Sequence, residues 1–284
     1  MKEWIEFHLK SGWTRIVIYD DNSTDGTQEL IKSTFPPHLV DLVEIDWEPP
    51  TRGYFSFVQS QVKSFQQCFQ RYWNYSEVIA NIDVDEFMYP NEAFWKESDP
   101  LWAAFRRQGF YRPSQTVLSW YSVKDFGFFN HTLTPNGSVI ESYTRHAPIS
   151  RTENADFKSK FPEKRALLKT ETPGKPMYFP NNSPSMIWPS VHVPLLGQDH
   201  LLSKVNQVHY QVNHYRFRSY EELKMKSRKN LAGRSLTSLP YNHSTFQYYS
   251  WVYDDSLIRF SHQVLWNVSL DSIINAHVPF MKVG

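Results

Sequence analysis

The sequence predicts an α/β fold with a mostly parallel sheet covered by helices. Two observations predict it. Short apolar runs of strand length alternate with amphipathic helical segments from the start of the chain to Pro90. The runs themselves are apolar on both sides, as strands buried between helix layers are. No repeat, low-complexity tract or linker divides the 284 residues, so one domain is expected over 1–284, with a first half at 1–109 and a second at 110–284.

The elements follow in order. Lys2 to Ser11 reads as a helix with Trp4, Ile5, His8 and Leu9 on one side and Gly12 as its stop. Arg15 to Tyr19 is a buried strand, Asp20 to Thr27 a polar loop, and Gln28 to Phe35 a helix ended by Pro36 and Pro37. Leu39 to Trp47 alternates like a second strand. Ser56 to Trp73 is the longest helix, because Val58, Val62, Phe65, Phe69 and Tyr72 form one stripe. Cys68, the one cysteine, lies on that stripe and reads as packing, and no disulfide can form within the chain. Val78 to Pro90 is the expected central strand and its exit. Pro100 to Gln108 is a helix, and Tyr111 to Trp120 is extended. Residues 121–200 are rich in Pro, Asn, Ser and Gly and predict an irregular region with antiparallel pieces on the acceptor side of a cleft. Val205 to Phe217 is extended, Ser219 to Glu222 is a capping box opening a helix through Lys229, and Asp254 to Phe260 starts a short helix capped by an Asp.

Composition limits the partners. Lys and Arg total 30 against 29 Asp and Glu, so no charge excess points to nucleic acid or an acidic membrane. Aromatic residues make up 16%, and their faces suit stacking on sugar rings, although most serve the core. No run has the length of a transmembrane helix, and no signal peptide precedes the fold. Sequons at Asn22, Asn74, Asn130, Asn136, Asn181, Asn242 and Asn267 favour a secretory lumen.

The stretch V-I-A-N-I-D-V-D-E-F-M-Y-P carries the chemistry. Asp83 and Asp85 are two residues apart, and on an extended backbone that spacing puts both carboxylates on one face. Two carboxylates held together are stable mainly around a cation. The expected role is a divalent-metal motif holding a phosphorylated ligand beyond the end of a strand. The plain alternative is a strand that ends in a solvated acidic turn. The loop Y-D-D-N-S-T-D-G-T offers short acceptors for a nucleoside and a helix amino end for phosphate. Its alternative is an N-cap cluster, with Ser23 or Asp25 capping the helix.

Together the two motifs resemble nucleotide-sugar glycosyltransferases of the GT-A fold, a Rossmann-type sheet with flanking helices. A narrower resemblance, to glycosyltransferase family 92, rests on E-W-I-E-F-H-L, I-Y-D-D-N-S-T-D and I-D-V-D-E-F as a set. Later segments agree in order: Phe126-Gly127, Lys164 in E-K-R-A-L-L-K, S-V-H-V-P, N-H-Y-R-F-R-S-Y-E-E-L-K-M-K and D-D-S-L.

The resemblance implies inverting transfer of a hexose, galactose in characterised members, from a UDP-sugar to a glycan hydroxyl. It matches Asp83 and Asp85 to the family's D-x-D at ribose and metal, Asp21 to the acid facing uracil, and His192 to a histidine completing a Mn²⁺ (or Mg²⁺) shell. Related enzymes have a strand before the E-W-I-E-F-H-L helix. Here the chain starts at Met1 inside that helix, so the expected sheet lacks this first strand, and a type II Golgi membrane anchor would lie upstream.

A general base is needed on the acceptor side, and Glu141, Asp199 and Asp255 are its candidates. Capping is the competing role for Asp254 and Asp255. His214 reads as a possible phosphate contact and His209 as structural, because five residues along a strand separate them to opposite faces. Lys226, Arg228 and Lys229 either meet the diphosphate or are solvated cations at a helix end. Two other classes compete: a non-catalytic carbohydrate-binding protein on a degenerate transferase fold, and a paired-Asp nucleotidyltransferase or phosphoesterase. The second would carry a Gly- and basic-rich phosphate loop near its start, which the sequence lacks.

Overall fold

A computed structural model describes residues 1–45, 54–107, 117–121, 123–125, 136–146, 155, 159, 175–179, 202–204, 209–215, 218–219, 222 and 252–276. Helix α1, Lys2–Lys10, ends as its sequence dictates: Gly12 takes φ 107°, where a side chain is strained. Strand β1, Ile16–Asp20, and β2, Val40–Glu44, pair in parallel around α2, Thr27–Thr34. Helix α3, Tyr54–Tyr72, brings Phe69 and Tyr72 onto Ile79. Cys68 packs beside them, and burial pushes its thiol up to about 11, so it stays protonated.

The apolar run after α3 is shorter as a strand than expected. β3 covers only Ile79–Ala80, and β4, Glu86–Pro90, follows after the acidic turn. A short 3-10 turn, Glu92–Phe94, leads to α4, Pro100–Arg107. The second half supplies β5 (Val117–Tyr121), β6 (Val123–Asp125), α5 (Val139–Ser142), β7 (Arg145–His146), β8 (Lys175–Phe179), β9 (Leu202–Lys204), β10 (Tyr210–His214) and β11 (Val252–Tyr253). Helix α6, Ser256–Phe260, continues as a π turn through Leu265, and α7 is Leu270–Ala276.

The expectation of a mostly parallel sheet needs correction. Among the described residues three pairs are parallel, β1–β2, β6–β10 and β5–β9, and four are antiparallel, β4–β10, β3–β8, β5–β8 and β7–β11. The physical reason is where the second half goes. Its strands pair directly, and antiparallel, with β3 and β4. Val78 to Pro90 is accordingly not one central parallel strand. Its β3 part pairs antiparallel with β8, and its β4 part antiparallel with β10.

The main core lies where α1 meets β4 and the C-terminal helices. Ile5, Phe7, Phe87, Tyr215 and Phe260 are buried there, with Phe7 edge-on to both Phe87 and Phe260. Glu3 ties the two halves together, because its carboxylate accepts the Val139 and Ile140 amides at 2.9 and 3.2 Å, at the start of α5. Between β1 and β3 lies a cavity of about 630 Å³, bordered by Val17, Tyr19, Ile79, Ala80, Trp4 and His8. Among the described residues β1 pairs only with β2, β3 only with β8, and no strand fills the space between.

Candidate functional site

The acidic motif sits in a tight turn and not on extended backbone. The Glu86 amide donates to the Asp83 carbonyl at 2.9 Å, which closes a four-residue turn over Asp83-Val84-Asp85-Glu86. The same-face argument for an extended D-x-D therefore does not hold here. What holds the turn is Glu86 itself. Its side chain is 1% exposed, and its carboxylate accepts the Asp83 amide at 2.8 Å. Charge-assisted bonds of this kind are the stronger sort. Val84 is exposed at the tip, while Asp83 and Asp85 are half-buried on its two sides.

Strand β10 fixes the far end of the turn. The Tyr215 amide donates to the Asp85 carbonyl at 2.7 Å, continuing the β4–β10 ladder in which His214 stands opposite Glu86. That register puts His214 beside the acidic turn, with Nε2 3.5 Å from Asp85 Oδ1. His209 behaves as a structural residue, its ring edge-on to Phe94 and its carbonyl accepting the Asn91 amide.

In the first loop two adjacent aspartates divide the work. Asp20 is buried, and its Oδ2 accepts the Ser23 amide at 3.0 Å and the Gln28 side-chain amide at 2.7 Å. Burial works to raise its pKa, but the hydrogen bonds from Ser23 and Gln28 prevail and hold it below the ordinary value. Asn22 takes φ 55°, a left-handed turn that Asn tolerates. Asp21 is exposed beside it. Neither Ser23 nor Asp25 is the cap of α2. The N-cap is Gly26 at φ 82°, without a side-chain cap bond, while Asp25 accepts the Thr27 amide at 3.1 Å across it and the Ser23 amide bonds back to Asp20. Asp21 follows β1, Asp83 follows β3, and Tyr19 and Ile82 just before them border the same cavity.

The base candidates fare differently. Asp255 is ion-paired with Arg259 at 3.1 Å, and exposed Glu141 lies 3.5 Å from His262. The N-cap position of α6 is Asp255, whose side chain makes no cap hydrogen bond, while the preceding Asp254 accepts the Ser256 amide on Oδ1 at 2.9 Å and faces buried His146 with Oδ2 at 3.6 Å. This group joins Tyr89 through Ser256, and Tyr89 pairs with Gln211 on the sheet face opposite His214. The Ser219 hydroxyl accepts the Glu222 amide at 3.0 Å, as the capping box requires. Asp199, His192, Lys164, Lys226, Arg228 and Lys229 lie outside the described residues.

Sequence reasoning missed Glu86. The signal was available, because an acid directly after D-x-D at the start of a buried strand must find donors.

The donor set at the turn suits a divalent cation. Two carboxylates with an imidazole beside one of them are hard oxygen donors and a nitrogen that Mn²⁺ accepts. Among the described residues no three metal-ligating side chains converge.

The glycosyltransferase family 92 profile matches residues 1–251. A glycosyltransferase family 92 protein of Oryza sativa subsp. japonica is 30% identical over 170 residues, 53% of this chain and 24% of that protein. One from Arabidopsis thaliana is 27% identical over 175 residues, 54% of this chain and 26% of that protein. One from Ricinus communis is 33% identical over 89 residues, 31% of this chain and 14% of that protein. The matched stretches thus make up between 14% and 26% of the length of these relatives. With its profile match running from the α1 helix through both acidic motifs and the β10 histidine, the chain belongs to glycosyltransferase family 92.

Proposed function

We propose that this chain is a glycosyltransferase domain, with its nucleotide-sugar-binding half at 1–109 and its acceptor-side half at 110–284, that moves a hexose, galactose by resemblance, from a UDP-sugar to a glycan hydroxyl with inversion. The observation that carries the reading is the acidic turn, in which Glu86 and β10 hold the backbone of Asp83 and Asp85 and Asp85 lies beside His214. Asp83 and Asp85 would hold the cation, Mn²⁺ or Mg²⁺, with His192 as a third ligand from outside the described residues. When bound, that ion would neutralise charge growing on the diphosphate leaving group. His214, 3.5 Å from Asp85, can orient that carboxylate as an outer partner of a metal ligand. Exposed Asp21 is free to meet the uracil, because neighbouring Asp20 takes the loop's own hydrogen bonds. The acceptor hydroxyl must lose a proton to a base, for which Glu141, Asp199 and Asp255 remain candidates.

The compartment belongs to the same reading: a Golgi lumen, reached as a type II membrane protein. Asn22, Asn74, Asn136 and Asn267, the sequon asparagines among the described residues, are all exposed. No described helix is long and apolar enough to cross a membrane, so an anchor would lie elsewhere in the protein. Incubating the full-length protein with UDP-hexoses, Mn²⁺ and a glycan acceptor library tests the reading. UDP release that depends on acceptor is expected. Glycan binding with no UDP affinity would show a carbohydrate-binding protein instead.

A further inference from the structure

The outer edge of β4 is where α1 meets the acidic turn. Asn91 N–H donates to the His209 carbonyl at 2.8 Å, and Tyr215 N–H to the Asp85 carbonyl at 2.7 Å. In an antiparallel pair this alternation turns the backbone groups of Glu86, Met88 and Pro90 away from β10. An open strand edge is a liability unless something satisfies it. Here side chains do so. The Glu86 carbonyl accepts Trp4 Nε1–H at 2.6 Å, the Met88 amide donates to His8 Nε2 at 3.2 Å, and the Pro90 carbonyl accepts Trp95 Nε1–H at 2.9 Å. Pro90 has no amide to satisfy.

His8 is completely buried and leaves little choice of state. Its Nε2 accepts from Met88, so the ring proton sits on Nδ1 and is donated to the Trp4 carbonyl at 2.8 Å. Trp4 and His8 are one helical turn apart, so both reach the strand from one face of α1. Their rings lie 4.5 Å apart, and His8 stacks on Phe87. The chain of contacts runs on from there. Trp4 holds the Glu86 backbone, and the Glu86 carboxylate holds the Asp83 amide.

We infer that Trp4 and His8 are positioning residues for the acidic turn, fixing the free edge of β4 so that Asp83 and Asp85 are presented in a single arrangement. The inference rests on the metal reading above for its functional consequence, while the edge lock stands on hydrogen bonds alone. It assigns the E-W-I-E-F-H segment a role in ligand affinity without placing it against the ligand. Trp4 and His8 bond to the backbone of Glu86 and Met88, one step further out than the direct partners of metal ligands. Loss of such direct partners commonly changes metal affinity by about 10- to 100-fold, so the low end of that range is expected here.

The test uses the full-length protein and four variants. His8→Phe keeps a ring and removes both hydrogen bonds. Trp4→Phe keeps the packing and removes the donor. His8→Gln retains one donor and one acceptor. Ile31→Ala, in the buried face of α2, is a destabilising control whose side chain makes no hydrogen bond. Mn²⁺ binding is followed by electron paramagnetic resonance of the free ion, and hydrogen exchange is followed over residues 82–90. His8→Phe and Trp4→Phe should weaken Mn²⁺ binding by roughly tenfold and speed exchange of this stretch, with His8→Gln close to wild type. Mn²⁺ affinity and exchange in His8→Phe no different from Ile31→Ala would overturn the inference. A wild-type protein that binds no Mn²⁺ would remove the metal reading, and exchange over 82–90 would still decide the edge lock.

Discussion

His8 makes a residue-scale prediction that needs no ligand. Burial pushes its pKa down from 6.5 to about 4, with the hydrogen bond to the Trp4 carbonyl a smaller opposing effect. Between those values the unfolded chain takes up a proton that the folded chain refuses. The stability is therefore fully present above 6.5, falls as pH drops toward 4, and changes no further below it. The shift corresponds to roughly 3 kcal/mol at most. Urea unfolding at a series of pH values should show this loss, and His8→Gln should flatten it. Asp20 and Asp21 give a second contrast. Asp20→Ala strands the Ser23 amide and the Gln28 side chain and should cost about 1–3 kcal/mol. Asp21→Ala should leave the unfolding transition in place and weaken UDP binding in calorimetry. Unfolding of the Asp21 variant would make that residue a loop anchor.

Elements with a strong period were legible in the sequence, and those defined by distant partners were not. The stripes of α1 and α3 show in the sequence because a helix face repeats within a few residues. Gly12 marked the end of α1, and its φ of 107° explains why. Gly12→Ala should cost about 1 kcal/mol or more, because the added Cβ meets that φ and lies 3.3 Å from Asp99 Oδ1. Thermal unfolding checks this directly. The two-residue strand β3 has no period to read, and its partner β8 lies far along the chain. Val78 to Pro90 therefore reads as one strand and its exit when it is two strands and a turn. The acids of the motif are visible in the sequence, but its local shape is not, because the group that holds the turn is the buried Glu86 carboxylate. The proximity of His214 to Asp85 depends on the β4–β10 register, which local sequence cannot supply.

At the scale of the whole molecule, strands from both halves share sheets, so α1, the acidic turn and β10 form one connected support. Stability and ligand geometry are coupled through β4, and damage at α1 should reach both. The outer surface carries its own prediction. Expressed in a secretory host, the full-length protein should carry glycans at some of Asn74, Asn136 and Asn267, which are exposed, and not at Asn22, in the loop proposed to meet the nucleotide. Endoglycosidase treatment should shift its mobility, and the absence of any shift would contradict the luminal assignment. The central claim is that Asp83 and Asp85 hold a divalent cation for a UDP-sugar. Its most direct measurement is turnover of a UDP-hexose by the full-length protein, titrated with Mn²⁺, in wild type and Asp85→Asn. Substituting Asn keeps the shape of the turn and removes one charge. The rate should fall on the order of a thousandfold, as expected when several kcal/mol of leaving-group stabilisation are lost. Unchanged turnover and unchanged Mn²⁺ dependence in Asp85→Asn would contradict the account.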